Sequence, residues 1–253
     1  MKCLLIDNSK PDACEFTRDL LEVLSKMVQV IRCSTTKEVL EQITLHDFDA
    51  AILSGSSLNL SQPTRIQYTR KSILALLRLT DIPVLGICFG MQLIASMYGG
   101  VVERLNLSRE TEETIKVNEG CVLLRGECKT IKVTLSHQDF VKQLPTDFVE
   151  YSKCGECIQI MECLKYLRFG CQFHPERKPK NESICVLKNF FNFVIERNKL
   201  EITISPSTHM QIVYMIGKKA VPCIARTHNI SVEEVMYIWR LHMHVWGLKA
   251  LLV

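Results

Sequence analysis

Short apolar runs alternate with amphipathic segments of helical length through the first hundred residues, and this alternation constrains the fold more than any other feature. It is typical of parallel βαβ units, in which each strand is followed by a helix that crosses the sheet. The predicted strands cover 2–6, 28–33, 50–53 and 84–87, and the predicted helices cover 12–27, 36–45 and 65–79, with another helix after residue 87. The pattern predicts a doubly wound α/β fold with an open, mostly parallel sheet. Ligands of such sheets bind at the carboxyl ends of the strands.

The order of predicted elements changes after residue 100, where extended segments follow one another without intervening helices. These segments cover 130–135, 148–152, 158–163 and 167–172, and a helix is predicted over 183–197. We expect the extended segments to add antiparallel strands to the sheet. We place a domain boundary near residue 200, so that 1–200 form the α/β domain and 201–253 form a small helical C-terminal extension of unknown role.

Composition narrows the class of protein. Hydrophobic residues make up 47% of the chain and charged residues 23%, with a net charge of +4, which predicts a globular protein rather than a disordered or fibrous one. The first apolar run ends at Asp7, too early for a signal peptide, and no stretch reaches the roughly 20 apolar residues of a membrane-spanning helix. We therefore expect a cytoplasmic protein whose twelve cysteines are mostly reduced.

A glycine-flanked cysteine follows the fourth predicted strand. Residues 86–90 read Gly-Ile-Cys-Phe-Gly and lead into a helix, which is the context of a nucleophile elbow. The sharp turn leaves no space for side chains at Gly86 and Gly90. Cys88 is thereby placed at the start of a helix, where the macrodipole and free N–H groups favour a thiolate.

A histidine and a carboxylate stand two residues apart at the end of the last predicted strand. On extended backbone, His174 and Glu176 point to the same side, and Pro175 stiffens the spacing between them. Together with Cys88 they form a candidate triad of nucleophile, general base and orienting carboxylate.

These residues resemble the class I, triad-type glutamine amidotransferases, and most closely the glutaminase part of GMP synthases. The elbow at 86–92, the block at 52–55, the segment at 136–139 followed by 144–145, and the stretch at 170–176 occur in the family's order. The resemblance covers about residues 1 to 197 and implies a flavodoxin-like or Rossmann-like sheet.

The resemblance also implies a reaction and its residues. Cys88 would attack the carboxamide carbon of glutamine, His174 would move protons to ammonia and from water, and Glu176 would orient the imidazole. The remaining residues that the family uses for the oxyanion or the substrate correspond to Gly55, Ser56, Phe89, Gln92, Ser136, His137 and Gln138.

Two departures from the family pattern concern the site. The Gly-Gly-Pro that usually follows the third strand reads Gly55-Ser56-Ser57, so an altered oxyanion loop is predicted. The aromatic-glycine pair that is usual near 108–112 is also absent. Both changes bear on glutamine affinity or on coupling to a partner.

No phosphate-binding loop of a synthetase is recognisable in the chain, so we expect any ammonia acceptor chemistry to lie on a separate ATP-dependent synthetase. No cofactor and no metal are predicted. Two alternatives stay open: a stand-alone γ-glutamyl peptidase or hydrolase, and a catalytically impaired regulatory or binding homologue.

Two weaker signals lie elsewhere. Cys154 and Cys157 have the spacing of a metal or redox pair, but no second pair completes a four-ligand set. A capping box at 231–234 predicts a helix to about residue 246, and with the segment before it has the spacing of a helix-turn-helix. Glu233 and Glu234 would repel phosphates, so we expect protein contacts rather than nucleic-acid binding.

Overall fold

The computed structural model describes residues 1–9, 15–45, 47–62, 82–125, 129–177, 182–203, 215, 221–230 and 235. The chain divides into two compact units, Met1–Val194 and Ile195–Val253. The strands are β1 (Lys2–Ile6), β2 (Gln29–Cys33), β3 (Ala50–Leu53), β4 (Val84–Ile87), β5 (Val101–Lys116), β6 (Thr130–Gln143), β7 (Val149–Cys154), β8 (Cys157–Cys163) and β9 (Arg168–Cys171). The helices are α1 (Glu15–Ser25), α2 (Thr36–Leu45), α3 (Phe89–Met97), α4 (Cys185–Thr203) and α5 (Val221–His228), with a 3₁₀ turn at Glu182–Ile184.

The main sheet of the first unit has, within the described ranges, the strand order β2-β1-β3-β4-β9-β8-β7. Strands β2, β1, β3, β4 and β9 are parallel, and β8 and β7 are antiparallel additions at one edge. Every residue of β3, β4 and β9 is buried, as expected for central strands of a sheet covered on both faces. The predicted α/β class with an open, mostly parallel sheet is confirmed.

Strand β9 differs from its predicted role as an antiparallel addition. It is antiparallel to β8 but parallel to β4, where Leu85 pairs with Phe169 and Ile87 with Cys171. The reason is that the tight turn after β8 reverses the chain, which returns β9 to the direction of the central strands. The end of β9 therefore lies beside the end of β4, and this brings His174 to the same edge as Cys88.

The segment predicted at 130–135 does not join the main sheet, so its predicted place in that sheet is wrong. It is the first part of β6, which pairs with the long strand β5 in a separate antiparallel two-stranded sheet. The register shifts between Arg104, opposite Asp139, and Arg109, opposite His137, so that residues 105–108 bulge out opposite the single residue Gln138. Leu107 in this bulge is 81% exposed.

In the second unit, α5 ends at a left-handed residue, Asn229, with φ 53°. The N–H of Ile230 donates to the carbonyl of Ala225 at 3.0 Å, which closes the last turn. The predicted helix at 65–79 and the capping box at 231–234 lie outside the described residues, as does the following helix apart from the helical Val235. The boundary near residue 200 and the role of the extension stay predictions. No described helix is both long and apolar enough to cross a bilayer.

Candidate active site

The elbow places Cys88 between β4 and α3 in a conformation that few residues other than glycine adopt. Its φ is 50° and its ψ is −106°, and it is the residue that precedes the first turn of α3. Such backbone costs about 1–3 kcal/mol and persists where the surroundings impose it. Here the N–H of Cys88 donates to the carbonyl of Cys171 at 2.8 Å, which ties the elbow to β9.

The two flanking glycines are required by close backbone approach. A Cβ at Gly86 would lie 2.4 Å from the carbonyl carbon of Gly90, and a Cβ at Gly90 would lie 2.3 Å from the carbonyl oxygen of Leu53. Both contacts involve main-chain atoms, which no rotamer change can move. The glycines predicted on each side of the nucleophile thus have the packing reason that the sequence suggested.

His174 and Glu176 follow β9 and form a buried pair. Nδ1 of His174 donates to Oε1 of Glu176 at 2.7 Å, and the two residues are 2% and 5% exposed. Burial disfavours a charged imidazole, but the electrostatic effect of the Glu176 carboxylate, with smaller contributions from Cys88, outweighs it and raises the pKa of His174 above its ordinary value. The Cys88 side chain is close enough to the imidazole to contribute to this rise in pKa. The three predicted triad residues are therefore brought together.

The loop after β3 lies against this triad. A Cβ at Gly55 would be 2.9 Å from Cε1 of His174 and 3.8 Å from Cβ of Cys88, so only glycine lets the loop come this close. The loop is fastened to the end of β1, because the side chain of Asn8 donates to the carbonyl of Ser54 at 2.8 Å and its N–H donates to the Ser54 hydroxyl at 2.8 Å.

Ser56 does not adopt left-handed backbone in this loop. Among the described residues, left-handed backbone outside glycine occurs at Cys88, Leu167 and Asn229, and therefore not at Ser56. Its hydroxyl donates to the carbonyl of Asn8 at 2.8 Å and accepts the N–H of Leu58 at 3.1 Å. The serine that replaces the family's glycine adds two hydrogen bonds to the loop.

Strand β6 contributes the third wall of the site. The carbonyl of Ser136 is 3.8 Å from Sγ of Cys88, while its hydroxyl donates to Oε1 of Glu110. His137 is buried, and burial lowers its pKa to about 4, so it is neutral at pH 7. Its Nδ1 donates to the carbonyl of Asp139 at 3.1 Å.

The side chain of Gln138 is held by residues at the bulge of β5. Its Oε1 accepts from Arg104 Nη2 at 2.6 Å, and its Nε2 donates to the carbonyl of Leu105 at 3.3 Å. Phe89 is the first residue of α3 and has a buried ring, and its N–H directly follows the nucleophile. The structure thus places Gly55, Phe89 and Ser136 at the nucleophile, whereas the side chains of Ser56 and Gln138 are engaged elsewhere.

A polar cluster occupies the region where the aromatic-glycine pair was missing. Arg109 Nη2 pairs with Glu113 Oε1 at 2.6 Å, and the Cys154 thiol donates to Glu113 Oε2 at 2.7 Å. Cys154 faces Cys157 across the two-residue turn of the β7–β8 hairpin. In the part of the chain that is described, no group of three or more His, Cys, Asp or Glu side chains is arranged to hold a metal ion.

Two residues of the site received no role from the sequence. Gln172 Nε2 is 3.5 Å from Sγ of Cys88, and the side chain of Asp139 accepts from both the N–H and the hydroxyl of Ser61, each at 2.7 Å. Gln172 stands two residues before His174, so the spacing argument used for His174 and Glu176 would have predicted Gln172 on the same side, although residues 172–176 form bends and a turn rather than a strand. No local signal could have linked Asp139 to Ser61, which is 78 positions away.

Comparison with known proteins bears on the family of this chain. The family model for class-I glutamine amidotransferases matches residues 5–194. A glutamine-hydrolysing GMP synthase subunit from Saccharolobus solfataricus is 36% identical over 147 residues, which is 58% of this chain and 77% of the relative. The corresponding GMP synthase subunit from Methanothermobacter thermautotrophicus is 30% identical over 154 residues, covering 60% of this chain and 78% of the relative.

Solved structures show the same fold. The crystal structure of a GMP synthase subunit from Thermoplasma acidophilum superposes with a TM-score of 0.68 at 22% identity, covering 79% of this chain and 97% of the other. A glutamine amidotransferase of Thermotoga maritima has a TM-score of 0.57 at 17% identity over 97% of this chain and 96% of the other. The chain therefore belongs to the class-I glutamine amidotransferase family, and the enzyme class predicted from its sequence, a glutamine amidotransferase, is confirmed.

Proposed function

We propose that this chain hydrolyses L-glutamine to glutamate and ammonia through a γ-glutamyl thioester on Cys88, and that the ammonia passes to a separate synthetase chain. The observation that carries the proposal is the placement of a strained cysteine at the N-cap position of α3 beside a buried His174–Glu176 pair, in which the carboxylate, against the effect of burial, raises the pKa of the imidazole. A thiolate beside an imidazolium is the reactive pair that acyl transfer to sulfur needs.

The first half of the proposed reaction starts with a proton on His174 and none on Cys88. The sulfur of Cys88 forms a bond to the carboxamide carbon, and the carbon–nitrogen bond breaks as His174 gives its proton to the departing nitrogen. Ammonia leaves, and Cys88 carries the γ-glutamyl thioester. His174 is then a neutral base that takes a proton from water, whose oxygen attacks the thioester carbon and releases glutamate and the thiolate.

Glu176 keeps the imidazole in the orientation that both halves require. Its Oε1 accepts from Nδ1 at 2.7 Å, which leaves Nε2 of His174 to face the reacting groups. The buried carboxylate also stabilises the imidazolium formed in each cycle.

Charge that develops on the carboxamide oxygen needs donors at fixed positions. We assign these to the N–H of Phe89, at the start of α3, and to the loop around Gly55 and Ser56, whose backbone is fastened through Asn8. Losing one such donor typically costs about 10²- to 10³-fold in rate. Gln92 and the backbone of Ser136 to Gln138 are assigned to the substrate.

The synthetase partner is inferred from the relatives. The two GMP synthase subunits from Saccharolobus and Methanothermobacter are at least 30% identical to this chain, and the chain covers more than two thirds of each. Both are named as one part of a GMP synthase, which supports a second chain that supplies the acceptor chemistry. A GMP-synthase-like role in nucleotide biosynthesis is the form of the proposal that these relatives favour, and the cytoplasmic location remains an expectation from the sequence.

Ammonia and glutamate release from L-glutamine by the purified chain tests the activity. We expect turnover in the parent, no turnover in Cys88→Ala, and retained turnover in Cys163→Ala, which removes another buried thiol on β8. Equal activity of the parent and Cys88→Ala would contradict the assignment of the nucleophile. Preferred hydrolysis of γ-glutamyl peptides over glutamine would favour a γ-glutamyl hydrolase, and absent turnover of both would favour an impaired homologue.

A further inference from the structure

We propose that Gln172 is a further catalytic residue, which holds the sulfur of Cys88 as a thiolate by donating an amide N–H to it. The inference rests on the proposed function, because it deepens the role of the nucleophile. It concerns a side chain that the triad and the oxyanion donors leave unused.

The contact is buried and rigidly placed. Nε2 of Gln172 is 3.5 Å from Sγ of Cys88, and Gln172 is 0% exposed. Its own backbone N–H donates to the carbonyl of Gln159 on β8 at 2.9 Å, which fixes the main chain just after β9.

The neighbours of Gln172 determine which end of its side-chain amide is nitrogen and which is oxygen. Gln92 Nε2 is 2.6 Å from the carbonyl oxygen of Asp139, which can only accept, so this end of Gln92 must be the amide nitrogen. The same nitrogen is 3.2 Å from the other end of the Gln172 amide, which must therefore be oxygen. The nitrogen of Gln172 consequently faces the sulfur of Cys88.

A donor aimed at sulfur distinguishes the two forms of the nucleophile. A thiolate accepts the N–H of Gln172, and a hydrogen bond to a charged group is stronger than one to a neutral group. The neutral thiol instead has the carbonyl of Ser136 as an acceptor at 3.8 Å. Gln172 thus favours the thiolate, both before attack on the carboxamide and when the sulfur is expelled from the thioester.

Under this proposal, Gln92 also has a role in orienting the Gln172 amide. Because it donates to Gln172 Oε1 and to the Asp139 carbonyl, it sets the orientation of the amide that faces the sulfur. A substrate that drew Gln92 away would free the Gln172 amide to turn.

The test is the pH dependence of alkylation of Cys88 by iodoacetamide, read by mass spectrometry, beside kcat and KM for glutamine. In Gln172→Met, which keeps the size but removes the donor, we expect the pH of half-maximal alkylation to rise by about one pH unit. We expect kcat to fall about tenfold or more with little change in KM. Gln159→Met is the matched control, since Gln159 is equally buried and its side chain donates to the carbonyl of Cys157 instead.

Gln172→Asn covers the case in which the methionine variant does not fold, because it keeps an amide and withdraws it from the sulfur by one methylene. Either folded variant should raise the midpoint, and the Gln159 variant should leave it in place. An unchanged midpoint in a folded Gln172 variant would overturn the proposal. Alkylation needs no glutamine turnover, so its result separates failure of this inference from failure of the proposed activity.

Discussion

The turn at the nucleophile has no space for a methyl group at position 86, and the substitution Gly86→Ala measures what that geometry contributes. The added Cβ would lie 2.4 Å from the carbonyl carbon of Gly90 and 2.5 Å from its oxygen, whereas ordinary contact begins at 3.4 Å. The first turn of α3 must therefore move by about 1 Å relative to β4. Overpacking of this kind costs about 1–3 kcal/mol.

The same shift displaces Cys88 relative to His174. A misplacement of about 1 Å at the reacting atoms can cost about 10²-fold in rate. We expect Gly86→Ala to lose about 10²-fold in kcat for ammonia release and about 1–3 kcal/mol in urea unfolding. If Gly86→Ala kept both the kcat and the unfolding free energy of the parent, the claim that close packing at position 86 positions Cys88 would be refuted.

Gly99→Ala is the matched control for that variant. Gly99 has φ +95°, and a Cβ there would meet nothing within 4 Å. This variant should lose about 1–2 kcal/mol through backbone strain alone. Its kcat should stay within about threefold of the parent, since the nucleophile does not move.

Three further substitutions test other parts of the site and its support. The pKa of His174 is raised in the folded protein, so the stability that its proton contributes is complete below about pH 6.5 and is lost as the pH rises through the raised value. Glu176→Gln should flatten this dependence in urea unfolding and lower kcat at least about tenfold, and an unchanged pH profile would count against the pair. Asp139→Ala releases Ser61, in the loop after β3, from β6, and kcat should fall about tenfold with the midpoint of thermal unfolding reduced; an unaltered kcat would mean that this loop holds its geometry without the carboxylate. Glu162→Ala leaves two buried backbone N–H groups without their acceptor, and chemical unfolding should show a loss of about 2 kcal/mol or more, with a loss below about 0.5 kcal/mol contradicting it.

The parallel core could be predicted from the sequence because its signals are local. Strands β1, β3 and β4 and helix α2 have the predicted bounds. Each of these strands is a short, mostly apolar run, which is the pattern of parallel strands covered on both faces. The elbow was predictable for the same reason, because the two glycines and the cysteine specify one turn.

The long β5–β6 sheet could not be predicted in the same way. Strand β5 is mostly exposed and rich in charged residues, so it carries no clear alternation of apolar and polar positions. Its structure comes from pairing with β6, and the bulge at 105–108 is set by that register rather than by local preference. The position of Gln138 beside Arg104 follows from this bulge and could not be predicted from the sequence.

Among the site residues, those that the sequence missed act through distant partners. Gln172 meets Cys88 across 84 positions, and Gln92 meets Asp139 across 47. Such contacts depend on which elements lie together in the fold, and for Gln172 this is set by the pairing of β9 with β4.

The most direct measurement of the central assignment is mass spectrometry of the intact chain after exposure to a glutamine analogue that carries an electrophilic ketone carbon. We predict one adduct per chain, on Cys88, formed in the parent and absent in Cys88→Ala. Its formation should slow when excess L-glutamine is present, because both compete for one site. An adduct on another of the twelve cysteines, or labelling that persists in Cys88→Ala, would contradict the assignment of Cys88 as the nucleophile.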